Sequence, residues 1–234
     1  MIAQPDQLVN ARILLASASP RRRELITLLG LPVESIAVKI DESPRDGEAA
    51  SDLAIRLSRE KAQAAALFFI PHPSSFIIAA DTIVSLDGQP LGKPRDATEA
   101  TSMLRQLRGR SHQVFTAVTL IDTATGRTVT DLTSTDVPMR DYSDAEIEAY
   151  VASGDPFDKA GAYAIQHNGF HPVERLSGCF ANVMGLPLCH ITRSLHVLGI
   201  EPPADVPAAC QAHIRYECPV FRSILSEMGC VRDT

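Results

Sequence analysis

Basic side chains recur in this chain at places where local structure alone gives them no reason to be. Arg21, Arg22 and Arg23 follow Ser19-Pro20. Serine is a good N-cap and proline suits the first helical position, so a helix begins there. A helix N-terminus carries roughly half a positive charge, and a misplaced cation costs about 0.3–1 kcal/mol. Arginines stacked at that end make sense when an anion sits on it, gripped by free N–H groups and by two-pronged guanidinium contacts. Lys61 falls on the apolar stripe Leu53, Leu57, Ala64 of a second helix, where a lysine either snorkels past the core edge or points into a cleft. Lys93 lies in Leu91-Gly92-Lys93-Pro94, a rigid, close-approach loop suited to aiming a lysine at phosphate. The spacing is not that of a Walker loop. Taken singly, each of these cations reads equally well as a solvated charge.

Two carboxylate positions could work with them. Asp81 ends the apolar run Phe76-Ile77-Ile78-Ala79-Ala80. Ligands in α/β sheets collect at strand carboxyl ends, where a carboxylate can act as a general base or hold a divalent metal. Asp41-Glu42, after Val38 to Ile40, could supply another carboxylate or be a solvated acidic turn. His112 starts a strand and reads as an ordinary polar residue. No second His or Cys supports a zinc site, and there is no G-x-S-x-G nucleophile elbow.

The elements that must position these residues are legible in part. Ile13 to Ala16 reads as a buried strand, and a helix from Pro20 carries Leu25, Leu28 and Leu29 at helical spacing up to Gly30. Ser51 to Phe69 reads as a helix with Leu53, Leu57, Ala64 and Phe68 on one stripe. Phe76 to Ala80 is a strand that Ile83 to Leu86 extends, and Asp87-Gly88 signals a hairpin turn. Asp96 caps a helix with Met103, Leu104 and Leu107 on its apolar face. The β-branched stretches Val114 to Ile121 and Thr128 to Met139 form strands joined at Thr125-Gly126. Ser143-Asp144-Ala145-Glu146 matches a capping box for a helix to about Ala152. Gly161 to Ile165 reads as another short strand, and Leu186 to Leu198 as a final core helix stopped by Gly199. Glu201 to Pro207 is a proline-rich linker, and Ala208 to Thr234 is a helical appendage or a partly disordered tail. The order gives an α/β class with a mixed sheet.

Composition narrows the class of function. The 234 residues are 45% apolar and 21% charged, with net charge -6, the balance of an ordinary globule with a sizeable core. No basic stripe of the kind a nucleic-acid binder carries is visible. No run reaches the roughly 18 apolar residues a spanning helix needs. Met1 to Asn10 lacks a secretory h-region, so the expected location is cytoplasmic, with neither nucleic acid nor membrane as a partner. The five cysteines, Cys179, Cys189, Cys210, Cys218 and Cys230, have no C-x-x-C pair and read as free thiols serving as small apolar fillers.

The combination resembles the Maf family of nucleotide pyrophosphatases. The resemblance rests on Leu14-Leu15-Ala16-Ser17-Ala18-Ser19-Pro20-Arg21-Arg22, Ala80-Asp81-Thr82, Leu91-Gly92-Lys93-Pro94, Gly109-Arg110-Ser111-His112-Gln113-Val114, Gly161-Ala162-Tyr163-Ala164-Ile165-Gln166 and Asn182-Val183-Met184-Gly185-Leu186-Pro187-Leu188, in that order. It covers about residues 12 to 199 and suggests a catalytic domain over 11–200, with 201–234 as a C-terminal extension. It implies an elongated mixed sheet with flanking helices in two lobes around a central cleft, similar to inosine-triphosphate pyrophosphatases. It also implies a divalent metal cation and a homodimer.

The implied reaction is hydrolysis of a nucleoside triphosphate to monophosphate and pyrophosphate, a hydrolase acting on an acid anhydride. Asp81 matches the family's proton acceptor. Ser17, Arg21, Arg22, Lys61 and Lys93 match its phosphate-binding positions, and Glu42 matches an acidic residue of its site. Glu42 and Asp81 are the candidate metal ligands, with Mg²⁺ or Mn²⁺ expected at a carboxylate-rich, thiol-free site. Arg21, Thr82 and Gln166 are similar to the trio of members acting on dTTP and UTP. A glutamine amide offers both donor and acceptor to a pyrimidine edge. His167-Asn168-Gly169-Phe170-His171-Pro172 departs from the family's usual continuation. Two other readings stay open: a pyrophosphatase for a purine or damaged nucleotide, and a non-catalytic nucleotide sensor regulating cell division or septum formation.

Overall fold

The computed structural model describes residues 12–68 and 75–227. Met1 to Asn10, Phe69 and Cys230, all named above, lie outside the described residues, as do 228–234 of the tail. Six strands form one sheet: β1 (Arg12–Ala16), β2 (Val33–Ile36), β3 (Ser75–Leu86), β4 (Gln89–Leu91), β5 (Ser111–Asp122) and β6 (Thr128–Pro138). The order is β2-β1-β3-β5-β6, with β4 hairpinned onto β3. β1 lies parallel to both β2 and β3, whereas the β3, β4, β5 and β6 pairings are antiparallel. The sheet is mixed, as the sequence predicts.

Local chemistry sets most boundaries. α1 (Pro20–Ile26) starts at Ser19, whose hydroxyl accepts from the Arg22 N–H, and a 3-10 turn, Thr27–Leu29, ends at Gly30 with φ +72°. α3 (Ala97–Leu107) is capped by Asp96, and α4 (Asp144–Ala152) has the reciprocal Ser143–Glu146 capping box. At the β3–β4 hairpin, Asp87 and Gly88 both take positive φ, +53° and +80°, the left-handed pair that matches strand twist.

α2 (Ala50–Phe68) crosses one face of the sheet. Its buried side chains are Ala50, Leu53, Ala54, Leu57, Ser58, Lys61, Ala62 and Ala65. The buried stripe therefore runs through Ala62 and Ala65, and Ala64 is only half-buried. The Phe68 side chain lies outside the described set. The opposite face carries α1, α5 (Phe180–Val183) and α6 (Leu188–Val197), packed with Ile13, Leu15, Ile78 and Leu120. A second core gathers where the long strands extend past β1. There Val84, Val114 and Val137 meet Leu104 of α3, Ile147 and Tyr150 of α4, and Tyr163. These cores make the two lobes.

Two expectations are corrected. Gly161 to Ile165 is not a strand: a 3-10 turn covers Ala160–Ala162, with φ +70° at Gly161 and +60° at Ala162, and left-handed residues cannot continue a strand. After α6 come two further helices, α7 (Val206–Ile214) and α8 (Phe221–Ser226), in keeping with the helical reading of the tail. Pro207 is not linker either. It lies in the first turn of α7, where its missing N–H has no partner to lose. Val206, Cys210 and Ile224 are buried, so the described residues after 200 pack onto the body of the molecule. No described helix is long and apolar enough to cross a membrane.

Candidate active site

Between the two lobes lies a cleft of about 570 Å³, within the size range of small-molecule sites. Ser17, Arg21, Arg22, Glu42, Lys61, Asp81, Thr82, Lys93 and Gln166 all line it. Every site residue expected from the sequence is therefore brought to one place, from segments separated by most of the chain.

The floor is built where the sheet changes partners. β1 pairs with β3 only as far as Leu15 and Ile78, while β5 follows β3 on to Ser85. Asp81 thus does not end its strand. It lies inside β3, just past the carboxyl end of β1, where loss of a neighbour opens the sheet to the cleft. Thr82 and Ile83 are the half-buried positions of that strand.

Lys61 reaches Asp81 Oδ1 at 2.5 Å and Glu42 Oε1 at 2.6 Å. One ammonium thus bridges two carboxylates, one buried and one half-exposed. Burial pushes the Asp81 carboxyl above its ordinary range, against the pull of Lys61 and Arg22. Burial acts the same way on Glu42, but the Lys61, Lys93 and Arg22 charges outweigh it and hold that carboxyl below its ordinary value. The deeper carboxylate is the more basic of the two, which suits a proton acceptor.

Arg22 is oriented differently from the expectation of a bare cation at a helix end. Its Nε donates to the Gly185 carbonyl at 2.7 Å, Nη1 to the Ala80 carbonyl at 2.7 Å, and Nη2 to Thr82 Oγ1 at 2.8 Å. Those contacts flank Asp81 on both sides and fix β3 to Gly185. The approach is close. A Cβ on Gly185 would lie 3.1 Å from Thr82 Oγ1 and 3.3 Å from Arg22 Nε, and its φ of +100° already requires glycine. Arg21 reaches across to Asp158 at 3.5 Å. Arg23 is exposed, with Nε bonded to the Ser17 carbonyl at 3.4 Å. The arginine run therefore splits into a clamp, a cross-cleft contact and a surface residue.

The far wall belongs to the second lobe. Lys93 forms no ion pair or hydrogen bond among the described residues and is exposed at the cleft. Its loop is held by the Gly161 N–H donating to the Gly92 carbonyl at 3.0 Å. Gly161 packs so tightly that an added Cβ would sit 3.0 Å from Val84 Cγ1. The same segment carries Tyr163, Ile165 and Gln166 into the cleft. His112 Nε2 pairs with Tyr163 Oη at 2.8 Å, and burial lowers the imidazole to about 4. The histidine is neutral and supports a cleft residue.

Sequence reasoning missed Lys159, Asp158 and Tyr163, which also line the cleft. Lys159 is buried, with Nζ bonded to Asp155 and Asp158. The signal was available: two acids, Asp155 and Asp158, and a lysine, Lys159, stand directly before the Gly161 to Gln166 motif.

Fold and cleft together define an α/β protein that sets a buried carboxylate among basic side chains drawn from both of its lobes. The family description "Maf-like protein" matches residues 12–198. The chain belongs to that family. A protein of Chromobacterium violaceum named dTTP/UTP pyrophosphatase is 47% identical over 83% of this chain and 98% of its own length. One of the same name from Geobacter metallireducens is 44% identical over 81% of this chain and 97% of its own. Another, from Anaeromyxobacter dehalogenans, is 44% identical over 84% and 98%.

Proposed function

We propose that this chain hydrolyses a nucleoside triphosphate, most favourably dTTP or UTP, to the monophosphate and pyrophosphate. The observation that carries the reading is the Lys61 ammonium bridging Asp81 and Glu42 in a cleft that Arg21 and Lys93 also line. The names of the relatives support the substrate class. A triphosphate brings close to four negative charges, and phosphoryl chemistry is mainly positioning and charge stabilisation.

In this reading Lys93, Arg21 and Lys61 hold the phosphates, with Ser17 beside them. Arg22 acts through the strand, keeping Asp81 and Thr82 in place. Asp81 takes a proton from the attacking water. The new P–O bond forms at the α-phosphorus as the bond to the β-phosphate breaks. Thr82, Gln166 and Arg21 set base preference.

The donor set fits a divalent cation. Two carboxylates already converge on one positive centre, and hard cations such as Mg²⁺ are held by one or two carboxylates together with substrate phosphates and water. No group of three or more His, Cys, Asp or Glu among the described residues is arranged to hold a metal. Glu42 and Asp81 would therefore hold the ion jointly with the nucleotide, and a bound cation would supply further neutralisation of phosphate charge. Residues 11–200 form the catalytic unit, 201–234 extend it, and the homodimer is a matter for light scattering.

The test is a panel of canonical and modified nucleoside triphosphates, with and without Mg²⁺ or Mn²⁺, scored for pyrophosphate. Pyrophosphate from UTP and dTTP in preference to purines is the expected result. Orthophosphate as product contradicts it, and tight nucleotide binding without turnover favours the sensor.

A further inference from the structure

Away from the cleft, four of the cysteines converge. Cys179, Cys189, Cys210 and Cys218 border one void of about 10 Å³ beside Phe180 and Phe221. That space admits about one water, so no organic ligand fits there. The four sulfurs are not arranged to hold a metal either. What remains within reach of thiols at such quarters is bonding to one another.

The two that are best placed are Cys179 and Cys218. Cys179 is buried immediately before α5, inside the matched family region, and Cys218 is partly exposed beyond its end, between α7 and α8. Three contacts hold the Cys218 segment against the Cys179 segment. Tyr216 Oη donates to the Leu176 carbonyl at 2.9 Å and to the Gly178 carbonyl at 3.1 Å. Its ring packs on Phe180 with centroids 5.4 Å apart. The Cys218 N–H is fixed in turn by Gln211 Oε1 at 2.9 Å. The clamp thus grips residues on either side of Cys179 and a residue close to Cys218.

We propose that Cys179 and Cys218 are a peroxide-oxidisable pair whose disulfide fastens the C-terminal helices to the segment entering α5. Cys179 and the Val220 and Phe221 N–H groups hold the Cys218 thiol below the ordinary thiol range, while Cys218 and burial push the Cys179 thiol up and keep it protonated. An accessible thiolate beside a protonated partner is the arrangement in which one sulfur reacts and the other resolves. The Cys218 thiolate attacks hydrogen peroxide. An S–O bond forms, the O–O bond breaks, and the hydroxide released takes a proton from solvent. Cys179 then attacks the sulfenic sulfur. The S–S bond forms, the S–O bond breaks, and hydroxide leaves as water with the Cys179 proton. The two sulfurs lose two electrons and the peroxide becomes two waters. Cys189 and Cys210 remain buried fillers, held protonated by burial, which raises the first to about 12 and the second to about 11.

The test uses the reduced full-length chain exposed to hydrogen peroxide, alkylated, digested and mapped by mass spectrometry. The expected product is a Cys179–Cys218 disulfide, reversed by dithiothreitol and accompanied by a Tm rise of several degrees, since the bridge closes a loop of about 40 residues. Cys179→Ser should stop the reaction at a Cys218 sulfenic acid trapped by dimedone, and Cys189→Ser should leave the cross-link in place. Peroxide that leaves both thiols free, or cross-links shared evenly with Cys189, Cys210 or Cys230, would overturn the proposal. The mapping on the unaltered chain needs no variant to fold.

Discussion

Lys61–Asp81 and Arg193–Asp131 are both buried ion pairs on the same sheet, one on β3 and the other on β6. Their construction differs. Arg193 Nη2 donates to both Asp131 oxygens at 2.7 and 2.8 Å, and Nε adds a bond at 3.1 Å. Nη1 then reaches Glu227 Oε2 at 3.1 Å, a residue following α8. That pair is closed and forked, and it ties β6 to α6 and to the C-terminal helices. Lys61 instead offers a point charge to Asp81 and Glu42, and among the described residues no other donor is bonded to Asp81. A forked pair that satisfies itself holds structure. A point charge shared by two carboxylates at a cleft leaves room for an incoming ligand to rearrange it.

The sharpest way to break this comparison is to remove the acid of the open pair. Asp81→Asn should lower kcat by about 10³-fold or more, the scale on which a positioned base acts, with nucleotide affinity and Tm near those of the parent. Near-normal turnover would remove Asp81 from the mechanism. The closed pair should respond in the opposite way. Arg193→Met leaves a buried Asp131 uncompensated and should destabilise the fold by about 3–5 kcal/mol, with kcat per folded molecule unchanged. A loss of activity without loss of stability would erase the distinction between the pairs.

Lys93→Ala is the next step down. The ammonium is exposed and bonds to nothing else among the described residues, so its removal should not unfold the chain. Activity should fall by about 10²-fold, the usual effect of deleting one donor to developing charge. A collapse in Tm would instead assign Lys93 to the packing of its loop.

The contrast between the pairs also separates what the sequence made legible from what it did not. Caps and turns are written locally. Ser19, Asp96, the Ser143–Glu146 box and Asp87-Gly88 each act within a few residues, and the structure places all of them as read. The site residues were legible because Lys61 and Asp81 break local rules, a cation on an apolar stripe and an acid closing an apolar run. Arg193 breaks the same kind of rule on α6, but its partner Asp131 lies 62 residues away on β6, and nothing local links the two. Partner changes are not local. β3 runs through Asp81 because β5 continues alongside it after β1 stops, a fact of topology. Gly161 to Ile165 has a strand's composition, but the segment must bring Gly161 against Val84 and its N–H onto the Gly92 carbonyl. That docking needs left-handed backbone. The orientation of Arg22 was hidden for a similar reason, since its acceptors come from β3 and from Gly185, far along the chain.

His112 lies between the two regions in character, buried as Arg193 is yet bonded to Tyr163, which lines the cleft. It offers the finest test. Burial lowers its imidazole to about 4, while the unfolded chain takes up that proton near 6.5. Between those values the unfolded state binds more protons, so the contribution of His112 to stability is complete above about pH 6.5 and declines as pH falls toward 4. His190, lowered by burial and by Arg193 to about 3, acts in the same direction. Asp131 and Asp81, both raised by burial, act in the opposite direction at the acid end of the range. The difference between parent and His112→Asn isolates the one group. Between pH 7 and 5 the parent should lose about 1–2 kcal/mol more than the variant, at roughly 1.4 kcal/mol per pH unit for one fully titrating group. The amide of the variant can still meet Tyr163 Oη, so turnover at neutral pH should change little. Parallel stability curves would mean that the fold already accommodates a charged His112, and the neutral imidazole supporting Tyr163 would have to be given up.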